Sequence, residues 1–251
     1  MPDLLISVRS FVEYQTVAAE AVEMIDFKEP RNGPLSPVDP SLWHRAAAWK
    51  RNPTNIPSVS ATLSAALGES NDYRSVVDKL PKEFEFAKVG PSGIESRDRL
   101  EQLWEAVRRR LMATTELVAV AYADHSAAQC LKPIEIFELA RHLGFRRCLL
   151  DTFSKTGKTT FDHLSIQEIL ELQRLSCESG MKWGLAGSLT WKLAQQACRE
   201  GIHPDCYALR GDVCSVGRTS DLSIERIRAW VSKVGWGKSP QATQTPQLPL
   251  R

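Results

Sequence analysis

The chain has 251 residues, 43% of them apolar and 25% charged, which excludes a disordered chain, a collagen-like repeat and a disulfide miniprotein. Thirty-two basic against thirty acidic residues leave a net charge of +2, short of the concentrated basic face of a dedicated nucleic-acid binder. Six cysteines (Cys130, Cys148, Cys177, Cys198, Cys206 and Cys214) are scattered without a CxxC pair, so no zinc ribbon or thioredoxin-type motif is readable and reduced, buried thiols are expected.

The start, Met1-Pro2-Asp3, lacks a basic n-region, and the apolar run Leu4 to Val8 is too short for a signal sequence, so a cytoplasmic protein is expected. The longest apolar stretch, Leu117 to Ala123, is about a third of what a bilayer span needs. No membrane passage is expected.

Taken in chain order, β-rich runs occur at Leu4–Arg9, Met24–Lys28, Asn55–Ala61, Phe84–Val89, Leu117–Ala123, Arg147–Phe153, Lys182–Ala186 and Cys206–Leu209. Between them, helical periodicity is clearest at Glu95–Ala113, Pro133–Leu143, Ser165–Ser179, Trp191–Glu200 and Ser223–Val234. Ser165 with Glu168 forms a capping-box pattern, Pro133 suits a first helical turn, and Gly144, Gly180 and Gly201 stand where helices stop. Strands such as Leu117–Ala121 are continuously apolar, as a covered parallel sheet requires. Eight βα units predict an α/β fold, a single (β/α)8 TIM barrel over residues 1–237. The aperiodic tail at 238–251, with Pro240, Pro246 and Pro249, is read as a mobile extension.

Chemistry in such barrels sits at the C-terminal ends of the strands. Three of those ends carry lysine: Lys28 after the second strand, Lys88 after the fourth and Lys155 beyond the sixth. Asp26 lies two residues below Lys28, and Asp151 shares a face with Lys155 if the chain stays extended. All three strands are even-numbered, so the ammoniums are expected to converge at one mouth. A reference lysine, with pKa about 10.4, is neutral in only roughly one molecule in 2,500 at pH 7. Two ammoniums about 5 Å apart at an effective dielectric near 20 repel by roughly 3 kcal/mol, enough to lower a pKa by about 2, and burial adds to this. A lysine cluster over carboxylates therefore predicts an imine-forming site with a neighbouring proton carrier.

Two loops suit an anion. Gly184-Leu185-Ala186-Gly187-Ser188-Leu189 follows the seventh strand and Leu209-Arg210-Gly211-Asp212-Val213 the eighth. Gly187 and Gly211 let backbone amides approach an oxyanion, Ser188 donates a hydroxyl, Arg210 supplies a forked cation and the next helix N-terminus its dipole. Arg9 and Lys158 are candidates for a second phosphate, with plain surface charge as the equal alternative. The five histidines show no metal-ligand spacing, so no metal and no other cofactor are expected. Gly157-Lys158-Thr159 resembles the end of a P-loop without its first glycine, and Arg108-Arg109-Arg110 reads as a solvated helix face, so no nucleotide or nucleic-acid site is assigned.

Taken together, Asp26-Phe27-Lys28-Glu29-Pro30, Phe86-Ala87-Lys88-Val89-Gly90, Ala121-Tyr122-Ala123-Asp124, Leu150-Asp151-Thr152 with Lys155-x-Gly157-Lys158-Thr159, and Gly184–Leu189 resemble the (5-formylfuran-3-yl)methyl phosphate synthase family, collinearly from about Leu4 to Trp236. The resemblance implies a (β/α)8 barrel that condenses two glyceraldehyde 3-phosphates into a furan aldehyde phosphate, a methanofuran precursor, with loss of phosphate and water. It further implies that Lys28 is the Schiff-base lysine and Lys88 the proton acceptor, with Lys155 and Asp151 at other active-site positions. One departure stands out: family members continue from the Glu29-Pro30 position towards Leu-Gly-Ala, whereas this chain reads Gly33-Pro34-Leu35-Ser36-Pro37.

Two other readings fit the same residues: another Schiff-base aldolase or sugar-phosphate isomerase on this barrel, and a non-catalytic phosphometabolite-binding regulator. The expected partner is a phosphotriose, with no nucleic acid and no membrane. Self-association into a homo-oligomer is left open by the sequence.

Overall fold

A computed structural model describes residues 1–52 and 60–235, and in it eight parallel strands pair in sequential order and close into a barrel. The chain runs β1 (Asp3–Val8), α1 (Phe11–Ala18), β2 (Met24–Phe27), α2 (Pro40–Arg51), β3 (Thr62–Glu69), β4 (Phe84–Gly90), α3 (Arg97–Arg108) and β5 (Glu116–Tyr122). It continues with the short α4 (His125–Ala128), α5 (Pro133–His142), β6 (Arg147–Asp151), α6 (Ile166–Ser179), β7 (Lys182–Leu185), α7 (Trp191–Arg199), β8 (Cys206–Leu209) and α8 (Ile224–Gly235). The predicted TIM barrel is therefore what the chain forms. The expected tail at 238–251 lies outside the described residues.

Seven of the eight expected strands stand where the sequence placed them, within a few residues. The third does not: most of Asn55–Ala61 lies outside the described residues, and β3 begins at Thr62. Its Thr62-Leu63-Ser64-Ala65-Ala66-Leu67 run is rich in alanine and leucine, which favour helices, and has Thr62 as its one β-branched residue. Burial on both sides decides the matter, since Leu63 to Gly68 are all buried. No helix joins β3 to β4; two single 3₁₀ turns at Tyr73–Ser75 and Val77–Lys79 make the crossover. The end signals hold where they were read. Ser165 and Glu168 satisfy each other's backbone amides, and Gly180 closes α6 in the left-handed region at φ 69°.

The main core lies between the barrel and its helices, built on Tyr14, Phe27, Trp43, Phe84, Trp104, Phe137, Trp183 and Trp230. Phe84 joins it by stacking edge-on against Phe27 and Trp43. A register shift between Leu63 and Ser64 then turns β4, so that Phe86 and Lys88 face the barrel interior instead. The interior is filled separately by Ala66, Val118, Val120, Tyr122, Leu149 and Ala186. Leu35, from the loop after β2, is fully buried in this inner cluster and is held there by the Gly68 amide, which donates to its carbonyl at 2.8 Å. The Pro34–Pro37 departure thus packs Leu35 onto the inner side chains beside the C-terminal end of β3. All six cysteines are free, but Cys177 and Cys198 are exposed rather than buried, because they lie on the outer faces of helices. No helix among the described residues is long and apolar enough to cross a membrane.

Candidate active site

A cavity of about 350 Å³ is lined by Lys28, Asp151, Lys155, Gly187, Ser188, Arg210, Gly211, Arg218 and Arg226. The structure thus gathers most of the expected site residues at the C-terminal ends of β2, β6, β7 and β8.

The lysines are arranged differently from the expectation of three converging ammoniums. Lys88 lies inside β4, not at its end, and is 2% exposed. Its Nζ donates to Asp26 Oδ1 at 2.5 Å, and Ser7 Oγ donates to Asp26 Oδ2 at 3.3 Å. Asp26 therefore serves Lys88 rather than Lys28. Lys155 reaches Asp151 not through an extended strand but across a bend, one residue of the pair four positions from the other. Its Nζ donates to Asp151 Oδ1 at 3.0 Å and to the Thr152 carbonyl at 2.5 Å. The bend is held by Asp124, whose carboxylate accepts the amides of Phe153 at 2.6 Å and Ser154 at 2.7 Å.

Lys28 stands between these two pairs. Its backbone amide donates to the Val8 carbonyl, while its ammonium has no hydrogen-bond or ion-pair partner among the described residues. Burial lowers its pKa to about 8; Asp151 and Asp26 pull it upward, and Lys155 and Lys88 add smaller downward pushes. The cause is thus mainly desolvation, not the mutual repulsion of amines, because each neighbouring ammonium carries its own carboxylate. Asp151 goes the other way: burial alone would raise it, but Lys155, Lys28 and the Thr152 amide together hold it down at about 2. At neutral pH the site therefore combines a readily neutralised amine with a firmly ionised carboxylate.

The anion loops are partly as expected. Gly187 (φ 84°) and Ser188 (φ 54°) are both left-handed, and the amides of Ser188, Leu189 and Thr190 have no protein acceptor among the described residues. Gly187 is obligatory, since a Cβ there would fall 2.0 Å from Thr160 Oγ1. The first turn of α7 contributes less than predicted, because Asp212 accepts the Trp191 amide and Thr190 that of Leu193.

Arg210 is a correction. It is 6% exposed, and all its donors are used inside the protein: two on the Glu13 carboxylate at 2.6 and 3.0 Å, and one each on the carbonyls of Ser7, Arg218 and Ser220. An arginine with five engaged donors has none left for phosphate. It instead fixes the loop from Cys214 to Leu222, which presents Arg218 to the cavity. Arg218 has no side-chain hydrogen bond or ion pair among the described residues and was missed by the sequence reading, which stopped at the arginine nearest the strand. The second-phosphate pair also separates. Arg9 is bound to Asp221 and Glu13 and borders a different cavity, and Lys158 is exposed outside the cavity wall.

The chain is similar to known proteins both in sequence and in fold. A Methanococcus maripaludis (strain C6) protein named (5-formylfuran-3-yl)methyl phosphate synthase is 28% identical over 232 residues, covering 89% of this chain and 94% of that one. A Methanosarcina barkeri protein of the same name is 26% identical over 241 residues, covering 92% and 98%. Among solved structures, phosphoribosyl anthranilate isomerase from Thermus thermophilus superposes with a TM-score of 0.56 at 12% identity, over 94% of this chain and 99% of that one, a likeness of fold alone. The sequence profile described as 4-HFC-P synthase matches residues 4–231. The chain belongs to the 4-HFC-P synthase family of enzymes.

Proposed function

We propose that this enzyme condenses two molecules of glyceraldehyde 3-phosphate into (5-formylfuran-3-yl)methyl phosphate, losing phosphate and water, through an imine on Lys28. The product would serve the biosynthesis of methanofuran or a related C1-carrier cofactor. The observation that carries the reading is the unpaired Lys28 amine, with its pKa lowered to about 8, between two lysine–aspartate pairs. At that value about a tenth of the amine is neutral at pH 7, against roughly one part in 2,500 for a reference lysine.

In this mechanism Lys28 Nζ attacks the aldehyde carbon, and loss of water from the carbinolamine gives the iminium, which acidifies the adjacent carbon. Lys88, poised by Asp26, moves protons during isomerisation and carbon–carbon bond formation. Lys155 protonates departing oxygen, with Asp151 holding it in place during dehydration. The Ser188–Thr190 amides and Arg218 grip a phosphate.

Borohydride added during incubation with glyceraldehyde 3-phosphate, followed by peptide mass mapping, tests the assignment. The expected adduct is on Lys28, and one on any other lysine overturns it. Without borohydride, a conjugated aldehyde absorbing in the ultraviolet is expected. A trapped imine with no such product would leave a simple aldolase or isomerase.

A further inference from the structure

Below the candidate site the barrel is not solidly packed. A void of about 50 Å³ lies beneath Lys88, lined also by Ser64, Met24, Phe86, Arg147 and Cys206, enough for about three waters. Its wall is mostly apolar, with polar groups at a few points. Asp26 takes one Nζ donor of Lys88 and leaves two, and the Ser64 hydroxyl, on a residue 1% exposed, has no partner among the described residues. Ser7, Asp26 and Ser64 are in register on β1, β2 and β3, so these polar groups form one inner layer. The void shares Asp3, Met24, Phe86 and Arg147 with a larger cavity of about 520 Å³ at the barrel's N-terminal end. At the neck between them the Arg147 guanidinium lies over the Phe86 ring at 4.6 Å, and its buried Nε faces Glu116 Oε1 at 3.8 Å, an ion pair in which neither atom has a hydrogen bond. Buried donors and acceptors in a roomy space are where ordered water resides.

We propose that this passage is a hydrated proton conduit, connecting Lys88 to solvent at the barrel's N-terminal end while substrate fills the mouth. The inference rests on the reading of Lys88 as proton carrier. A proton given by the Lys88 ammonium to the adjacent water is replaced by one relayed from the solvent end, with Nζ alternating between –NH₂ and –NH₃⁺ and no other bond changed. Such a route answers a specific need. The proposed reaction shuffles several protons in a mouth closed by two bound phosphotrioses, so exchange through the front is blocked when it is required.

The test uses the full chain labelled with ¹⁵N-lysine, with the water-exchange rate of the Lys88 ammonium read by NMR and sn-glycerol 3-phosphate filling the mouth. Ser64→Val fills the void, and Arg147→Met, at a partly exposed position, removes the neck nitrogen. Exchange in the unaltered protein should persist with the mouth filled and slow by roughly tenfold or more in both variants. Arrest of exchange by the probe in the unaltered protein, or unchanged rates in both variants, overturns the conduit. Borohydride trapping on the same proteins, with glyceraldehyde 3-phosphate in place of glycerol 3-phosphate, separates the two readings: absence of a Lys28 adduct speaks against the proposed function and leaves the exchange result standing. Should glycerol 3-phosphate not bind, the comparison is made on the free proteins, and equal rates again overturn the proposal.

Discussion

Lys88 Nζ and Asp26 Oδ1 are 2.5 Å apart inside the barrel, with side-chain exposures of 3% and 1%. A pair so deeply removed from water is expensive to make, and removing one member leaves the other charge stranded. Asp26→Asn should destabilise the fold by about 3–5 kcal/mol, read by urea denaturation. The double change Asp26→Leu with Lys88→Met should regain most of that loss while abolishing turnover. A double variant as unstable as the single one would contradict a charge-based account.

The pH dependence should follow Lys28. Its pKa is about 8 in the folded protein, below its ordinary value, so the unfolded chain binds more protons between these two values. Stability from this group therefore rises with pH through that window, and below about pH 8 the charged amine is a full cost to the fold. Lys28→Met should stabilise the protein at pH 7 by up to about 2–3 kcal/mol while eliminating imine trapping. For the unaltered enzyme, the initial rate of trapping should rise with an apparent pKa near 8 and level off above it.

Two neighbouring arginines should separate binding from folding. Arg218→Ala is expected to weaken phosphate-ester binding by about ten- to a hundredfold, with little change in denaturation midpoint. Arg210→Ala leaves the buried Glu13 carboxylate with Arg9 as its remaining partner and should cost about 3 kcal/mol of stability. Isothermal titration with sn-glycerol 3-phosphate alongside denaturation curves checks both. Equal binding loss in Arg210→Lys, at retained stability, would return the phosphate role to Arg210.

Gly187→Ala should fail for two reasons at once, the left-handed φ of 84° and the overlap of its Cβ with Thr160 Oγ1. A loss of about 1–3 kcal/mol is expected, together with weaker phosphate-ester binding as the loop shifts. Adding Thr160→Gly should relieve the overlap with Oγ1 but removes its bond to the Ala186 carbonyl, so Thr160→Gly alone is the reference against which thermal denaturation of the double variant is read.

The barrel itself was legible because alternating apolar strands and periodic helices are local patterns, each set by residues within one element. Lys28, Lys155, Asp151 and the Gly187 loop were legible for a related reason, since strand ends in this fold have a fixed destination. β3 was not, because its small residues carry no strand propensity and only enclosure on both faces makes them a strand.

What the sequence determined by itself is which residues arrive at the mouth of a closed eight-stranded barrel. What only tertiary structure decided is how their charges pair. Asp26 precedes Lys28 by two residues yet binds Lys88 on β4, 62 positions away. Glu13 and Arg210 meet across 197 positions, which occupies the donors of the expected phosphate ligand, while Arg218 lines the cavity without an ion pair among the described residues. Pairing among buried charges depends on the distances and desolvation that barrel closure creates, and no pattern along the chain encodes these.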